Sequence, residues 1–326
     1  MRIAVDAMGG DDAPRAIVEG AVAAARQLGV PVTLVGAEAT LRAALEGHAG
    51  WRQLPLDIVD APEAVGMADA PAAALRRCPR ASIRVATELV AHDRAGAVVS
   101  AGNTGATVMA AHQAFGMLPG VDRPALATVI PTRGRPAVLL DAGANAECRP
   151  QHLLQFGIMG AMHARLVLGT ERPRVALLSI GEEETKGNDL TREAHRLLKA
   201  APINFIGNIE GREIYSGDAD VVVCDGFTGN IVLKTSEGLV EVIEAVLGEA
   251  LRDAPASRDP FEEFRRRMDY SEYGGALLLG VAGLVVVGHG RSSPTAVQNA
   301  IRMAARFAAD DFVSRVEREI AAATVS

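Results

Sequence analysis

Lysine is scarce in this chain. Of its 33 basic residues only Lys186, Lys199 and Lys234 are lysines, the rest being arginine. Codon bias accounts for the arginines but not for where the lysines stand. Lys186 lies within Gly181-Glu182-Glu183-Glu184-Thr185-Lys186-Gly187-Asn188, and Lys234 follows Asp225-Gly226-Phe227-Thr228-Gly229-Asn230. A lysine in a glycine loop presents a compact charge with three donors, suited to phosphate or to a developing oxyanion. Asn230 offers an uncharged amide donor at the predicted start of a helix, where it could equally be a plain cap.

Three further segments share this composition: Gly9-Gly10 with Asp11, Gly102-Asn103-Thr104-Gly105, and Asp141–Asn145. Glycine lets backbone N–H groups approach a ligand closely, and a helix N-terminus adds about half a positive charge. Together they make anion sites. The candidates for holding phosphate or acyl-phosphate are therefore Gly9, Gly10, Asp11, Gly102, Asn103, Thr104, Gly105, Asn145, Gly226, Thr228, Gly229 and His289. The same residue types also build ordinary turns and caps, and His289 could be purely structural. Glu182, Glu183 and Glu184 read as a solvated acid run, and Cys224 as a buried thiol rather than a nucleophile. No GxGxxG follows the first strand, and GxxxxGK[ST], GxSxG, HExxH and metal-spaced His/carboxylate clusters are absent from the sequence. No metal and no cofactor are expected.

The elements that must position these loops alternate between β-rich runs and amphipathic helices. Strands are predicted over Arg2–Asp6, Pro31–Val35, Leu56–Val59, Ala97–Ser100, Leu126–Ile130, Ala137–Asp141, Arg174–Ile180 and Asp220–Cys224. Helices are predicted after Asp12 as N-cap, with Ile17, Ala21, Ala24 and Leu28 on one face, over Ser82–His92 and Pro150–Leu168, from Asn230 to about Leu251, and over Pro294–Ala323. Asp253–Asp259 is the best linker candidate. Alternating Val/Ile/Leu strands and helices imply an α/β fold, a largely parallel sheet flanked by helices in three layers, with its loops gathered on one edge.

Composition narrows the class. The 326 residues are 49 % hydrophobic and 22 % charged, which excludes a disordered chain. A formal charge of -7 does not favour nucleic acid or an anionic membrane. Cys78, Cys148 and Cys224 are odd in number and far apart, as expected of reduced thiols in a cytoplasmic protein. The strand-like start is no signal peptide, and the longest apolar stretch, Ala276 to Val287, is too short to span a bilayer.

Nearly the whole chain, in order, resembles the bacterial phosphate acyltransferase family. The matching stretches are Ile3–Gly10 with Asp11 and Pro14, Val99–Gly105, Asp122–Thr132, Leu140–Asn145 with Pro150–Gly160, Ile180–Leu190, Phe205–Gly211, Asp220–Gly238, Tyr270–Gly275, and His289-Gly290 with Asn299–Ala304. The resemblance implies a phosphotransacetylase-like or isopropylmalate-dehydrogenase-like fold over one domain, residues 1–326, with room for two lobes around a central cleft. It implies catalytic roles for Lys186 and Asn230, a homodimer, and no metal or nucleotide cofactor. The acyl donor would be acyl carrier protein, the acceptor inorganic phosphate, and the consumer of the acyl-phosphate a membrane glycerol-3-phosphate acyltransferase in phospholipid synthesis. A protruding helical tip near 250–270 would attach the protein peripherally to the membrane. Here the tip mixes Asp253, Asp259, Glu262 and Glu263 with Arg265–Arg267, so attachment is expected to be weak and salt-sensitive. Two other classes share some of these features. A decarboxylating dehydrogenase of similar fold would need an aspartate cluster for metal, and a non-catalytic carrier-binding scaffold would not need so many polar glycine loops.

Overall fold

Runs of β-branched and aliphatic residues form strands here because most strands are covered on both faces. The computed structural model describes residues 1–250 and 274–324. In chain order the described elements are β1 (Ile3–Asp6), α1 (Arg15–Leu28), β2 (Val32–Gly36), α2 (Glu38–Glu46), β3 (Leu56–Asp60), α3 (Pro71–Arg77), α4 (Ser82–Ala91), β4 (Ala97–Ser100) and α5 (Thr104–Phe115). There follow β5 (Ala125–Ile130), β6 (Ala137–Leu140), α6 (Pro150–Leu168), β7 (Val175–Leu178), α7 (Asp189–Ala200), β8 (Phe205–Ile209), β9 (Val221–Val223) and α8 (Gly226–Ala250). The last are β10 (Ala276–Leu279), β11 (Val285–Val287), α9 (Pro294–Ala309) and α10 (Phe312–Thr324). The linker candidate Asp253–Asp259, the tip and its acids and arginines, and Tyr270–Tyr273 lie outside the described residues.

The chain forms two compact units, residues 1–124 with 274–324, and residues 125–250. In the first, the strand order is β3-β2-β1-β4-β11-β10, parallel except for the β10–β11 pair. Helix α1 packs on α9, α4 packs on α5, and β1 touches both α4 and α9, so helices sandwich the strands. In the second unit the order is β5-β6-β9-β7-β8, with only β5–β6 antiparallel. Strands β1, β4, β6, β7 and β9 are buried along their whole length. That continuous burial is why they read as unbroken apolar runs rather than as alternation.

Helix packing depends on missing side chains. A Cβ on Gly20 of α1 would come within 2.6 Å of the Pro294 carbonyl oxygen and of Val297 Cβ on α9, and one on Gly160 of α6 within 2.5 Å of Val221. Neither helix could lie as close with alanine there. Three readings of the sequence need correction. Pro14, not Asp12, stands at the N-cap of α1, and no side chain caps it; the Asp12 carboxylate instead pairs with Arg15. Leu28 is 39 % exposed, off the buried face formed by Ile17, Ala21 and Ala24. The predicted helix over Pro294–Ala323 is two helices, broken where Asp311 adopts φ 50°, a left-handed conformation that a continuous helix cannot hold. No described helix is long and apolar enough to cross a membrane.

One buried group makes the fold sensitive to acid. His163 on α6 is 2 % exposed and its Nδ1 has no hydrogen-bond partner among the described residues. Burial pushes the imidazole from 6.5 down to about 4. The unfolded chain therefore binds this proton first, so the stability involved is complete above pH 6.5 and is lost as the pH falls toward 4. The loss through this residue should be about 3 kcal/mol. Denaturant unfolding at neutral pH and near pH 4 measures it. His163→Leu, of similar volume, should remove most of that pH dependence; an unchanged dependence would clear His163 as its source.

Candidate active site

The second unit carries the densest polar construction. At the end of β6 the Asp141 carboxylate is fully buried and accepts five hydrogen bonds. Oδ1 takes those of Leu126 N at 3.0 Å, Gly143 N at 3.1 Å and Ala144 N at 2.9 Å. Oδ2 takes Asn145 N and Asn145 Nδ2, both at 2.8 Å. Burial pushes this carboxyl above its ordinary value, and the donors pull against that shift. The loop so fixed receives the first turn of α8. Gly226 N donates to the Asn145 carbonyl at 2.8 Å, and a Cβ on Gly226 would fall 2.6 Å from that same oxygen. On Gly229 a Cβ would collide with the Asp141 carbonyl oxygen.

The cap of α8 is Asp225, whose carboxylate accepts from Thr228 N at 2.9 Å and from the Thr228 hydroxyl at 2.8 Å. Asn230 is therefore not the cap. It sits a turn inside the helix, exposed, with its side chain 3.4 Å from the position a Cβ on Gly143 would take. No partner holds its amide among the described residues. Cys224 is fully buried, its thiol pushed well up by burial and by the nearby Asp141 and Asp225 charges. That environment holds it protonated, as a structural thiol would be.

Lys186 lies in the exposed loop between β7 and α7. Gly181 and Gly187 shape its surroundings: a Cβ on Gly181 would lie 2.8 Å from Lys186 Cγ, and Gly187 has φ +102° with the Thr191 hydroxyl and Ser179 against its Cα. The loop is clamped from below. Buried Asn208 on β8 donates through Nδ2 to the Glu183 carbonyl at 3.0 Å, while its Oδ1 lies 2.8 Å from His195 Nδ1 on α7. That amide orientation makes Nδ1 the donor. His195 Nε2 faces Glu184 at 3.5 Å, and Glu184 also pairs with Lys199. The three loop glutamates thus differ: Glu184 is an anchor, Glu183 offers its carbonyl, and the Glu182 carboxyl is raised by the Glu213 charge beside it. Of the three lysines, Lys199 is bound to Glu184 and Lys234 to Glu237, at 2.8 Å for the latter. Lys186 alone has no partner among the described residues.

The first unit builds a similar floor. Asp6 at the end of β1 is buried and accepts from Ser100 Oγ at 2.7 Å and Met8 N at 3.3 Å. Burial pushes this carboxyl up as well. Above it Gly9 and Gly102 touch backbone to backbone, a Cβ on Gly9 falling 2.8 Å from Gly102 Cα. Asp11 N donates to the Gly290 carbonyl at 2.8 Å, which brings His289-Gly290 to the Gly9-Gly10-Asp11 loop. His289 Nδ1 accepts from Arg291 N at 3.1 Å, leaving Nε2 to carry the proton of the neutral ring. Asn103 caps α5, accepting from Ala106 N at 3.0 Å, and its Nδ2 donates to the Gly66, Met67 and Asp69 carbonyls. Its amide is spent. A Cβ on Gly105 would lie 2.6 Å from Pro71. What this helix start still offers is the backbone N–H of Thr104 and Gly105, since the first turn of a helix has no internal acceptors.

Structure thus brings together Asp141, Asn145, Gly226, Gly229 and Asn230 in one unit, and Gly9, Gly10, Asp11, Gly102 and His289 in the other. Sequence reasoning included Asp141 only as the start of a candidate loop, and passed over Asp6 and Asn208. The signal for the two aspartates was present: each is an acid ending a fully apolar strand, two residues before a turn. Among the described residues no group of three or more His, Cys, Asp or Glu side chains is arranged to hold a metal ion.

The chain is thus an α/β protein with glycine loops over buried aspartates and with Lys186 and Asn230 side chains that have no partner among the described residues. Comparison with known proteins places it further. The family described as "Fatty acid synthesis protein" matches residues 1–315. The phosphate acyltransferase of Acidobacterium capsulatum is 48 % identical over 98 % of this chain and 97 % of its own. That of Syntrophotalea carbinolica is 52 % identical over 93 % and 89 %. A phosphotransacetylase from Streptococcus pyogenes shares the fold, with a TM-score of 0.63 at 19 % identity, over 95 % of this chain and 94 % of that one. The chain belongs to the fatty acid synthesis protein family, the family of the phosphate acyltransferases.

Two substitutions test this construction. Asp141→Asn puts an NH₂ against N–H donors and should cost about 3 kcal/mol of stability, read by denaturant unfolding. Asn208→Ala strands the Glu183 carbonyl and the His195 donor, a local loss of about 1–3 kcal/mol. Hydrogen exchange at the Lys186 and Gly187 amides should then quicken while the β6 amides keep their protection. Equal protection at Lys186 in variant and parent would mean that Asn208 does not clamp the loop.

Proposed function

We propose that this chain transfers a long-chain acyl group from the thioester of acyl carrier protein to inorganic phosphate, giving acyl-phosphate for phospholipid synthesis. A phosphate oxygen attacks the thioester carbonyl carbon, forming the C–O bond and a tetrahedral oxyanion. The C–S bond then breaks, the carbonyl re-forms, and the carrier's thiolate leaves to take a proton from water. Phosphate is itself the nucleophile, so no serine or cysteine relay is needed, in keeping with the buried thiol of Cys224.

In this reading Lys186 supplies positive charge to the attacking phosphate and Asn230 donates its amide to the oxyanion. The observation that carries it is the freedom of those two groups: Lys186 in the β7–α7 loop and Asn230 near the start of α8 each lack a side-chain partner among the described residues. A donor aimed at a developing oxyanion is worth about 3 kcal/mol of barrier. The Gly9–Asp11, Gly102–Gly105 and Gly226–Gly229 segments, with Asn145, Thr228 and His289, are assigned to holding phosphate or acyl-phosphate; most of their backbone N–H groups are engaged within the protein, and those of Thr104 and Gly105 at the start of α5 remain as donors. Ile180, which precedes the lysine loop, and Phe227 and Ile231, which flank Asn230, are large apolar side chains 79 %, 63 % and 49 % exposed. They support an acyl-chain substrate.

The protein is assigned as a homodimer, peripheral to the inner face of the membrane through weak contacts, whose product passes to a membrane glycerol-3-phosphate acyltransferase. Leu239, Val242 and Val246, exposed at helical spacing along α8, support an apolar interface between copies.

Thiol release from long-chain acyl carrier protein should require phosphate and survive EDTA; release that EDTA abolishes and Mg²⁺ restores would overturn the reading. Lys186→Ala and Lys186→Arg should each lose about a hundredfold in kcat while staying folded by circular dichroism. The guanidinium is a planar fork and cannot replace a compact ammonium in this glycine loop. Lys199→Arg, which keeps its ion pair with Glu184, should leave turnover near the parent's. Full activity of Lys186→Arg would show that generic positive charge suffices.

A further inference from the structure

A cavity bordered by described residues lies entirely within the first unit. It encloses about 490 Å³ and is lined by Arg2, Arg42 and Arg94, by Trp51, Thr33 and Asp57, and by apolar side chains of β3 and α4. A volume of this size suits a small organic ligand, which fills pockets of roughly 300–1,000 Å³. Arg2 immediately precedes β1 and Arg94 precedes β4. The cavity therefore opens at the amino ends of these parallel strands, whereas the Gly9 and Gly102 loops leave their carboxyl ends. It is a separate site from the one described above.

Its chemistry is cationic in an acidic protein. Three arginines meet two carboxylates there, Asp57 in the lining and Glu38 on Arg42, which leaves one positive charge in excess in a chain of net charge -7. Arg2 pairs with Asp57 at 2.8 Å and Arg42 with Glu38 at 2.6 Å. Arg94 is exposed and has no side-chain partner among the described residues. Trp51, the sole tryptophan, is only 9 % exposed, and its Nε1 is buried with no acceptor among the described residues. A buried donor left unpaired costs about 1–3 kcal/mol, which an acceptor atom brought by a ligand would relieve. Thr33 and Asp57 add hydroxyl-binding groups beside the arginines.

We propose that this cavity is a binding site for a hydroxylated phosphomonoester of sugar-phosphate size, its phosphate on Arg94 and Arg42 and its hydroxyls toward Asp57 and Thr33. A bare phosphate would leave most of the volume empty, and an apolar ligand would cover the Arg94 guanidinium without giving it a partner. The inference does not rest on the roles given to Lys186 and Asn230.

Trp51 reports on the site directly, because no other tryptophan emits. The intact protein is titrated with ribose 5-phosphate, ribose and inorganic phosphate while its intrinsic fluorescence is followed. Ribose 5-phosphate should give a saturable change, ribose none, and inorganic phosphate a change at least about tenfold weaker in affinity. Arg94→Leu, at an exposed position, should weaken the ribose 5-phosphate response about tenfold, and Arg42→Gln should do the same independently. Lys186→Ala should leave it intact. No response to the phosphomonoester, or one that both arginine variants retain, overturns the proposal. So does a response that Lys186→Ala abolishes, which would assign the signal to the other site.

Discussion

A carboxylate buried at the end of a strand is the constraint on which these loops depend. Asp141 is out of water altogether, a state that costs several kcal/mol unless the charge is fully hydrogen-bonded. Its five N–H donors come from β5, from its own turn and from Asn145, so satisfying one side chain dictates the path of the loop. Asp6 does the same on a smaller scale in the other unit. Both acids accept from the N–H two residues on, Met8 in one case and Gly143 in the other, the geometry of an Asx turn. The two local sequences, Asp6-Ala7-Met8-Gly9 and Asp141-Ala142-Gly143-Ala144, meet the same requirement with the same first two residues.

Once the aspartates are placed, the glycines follow from packing. Gly226 and Gly229 are small because the Asp141–Asn145 backbone lies against them, Gly9 because Gly102 does, and Gly105 because of Pro71. A glycine-rich loop read as space left for a phosphate is here largely space already filled by neighbouring chain. The consequence for function is favourable. Loops locked backbone to backbone hold their remaining donors without reorganising, and preorganised donors are the ones that lower a barrier. The donors that survive this accounting are few: Lys186 Nζ, the Asn230 amide and the N–H groups at the start of α5.

Much of this was legible in the sequence, and the failures have physical causes. The strand–loop–helix order, most strand positions, α6 and the C-terminal boundary of α1 at Gly29 follow from apolar runs and glycine stops, which are local signals. The break between α9 and α10 was not legible, because Asp310 and Asp311 carry no glycine or proline to announce it. Strands β10 and β11 read in the sequence only as an apolar stretch; they pair with each other and, through β11, with β4, which no local pattern states. At the site, Lys186 stood out by its rarity. Asn103 and Asn230 looked alike as Asx residues near helix starts. Only their surroundings separate them: three carbonyls consume the amide of Asn103, while Asp225, five residues earlier, relieves Asn230 of capping.

The same separation by surroundings applies to the lysines, and it argues that residue type here is chosen for chemistry only where nothing else uses it. Lys199 ties α7 to Glu184 and Lys234 pairs along α8 with Glu237; in both places a long cation serves as a strut. The Lys199–Glu184–His195 set holds the far side of the very loop that presents Lys186. One lysine is thus spent in fixing the loop, and the other is left unpaired by it. An arginine at 186 would carry five donors into a turn whose walls are Gly181 and Gly187, and with Glu182 and Glu183 adjacent it would have neighbours to pair with. A lone ammonium with three donors, on a loop whose remaining acid is already bound to Lys199, stays available for an incoming anion.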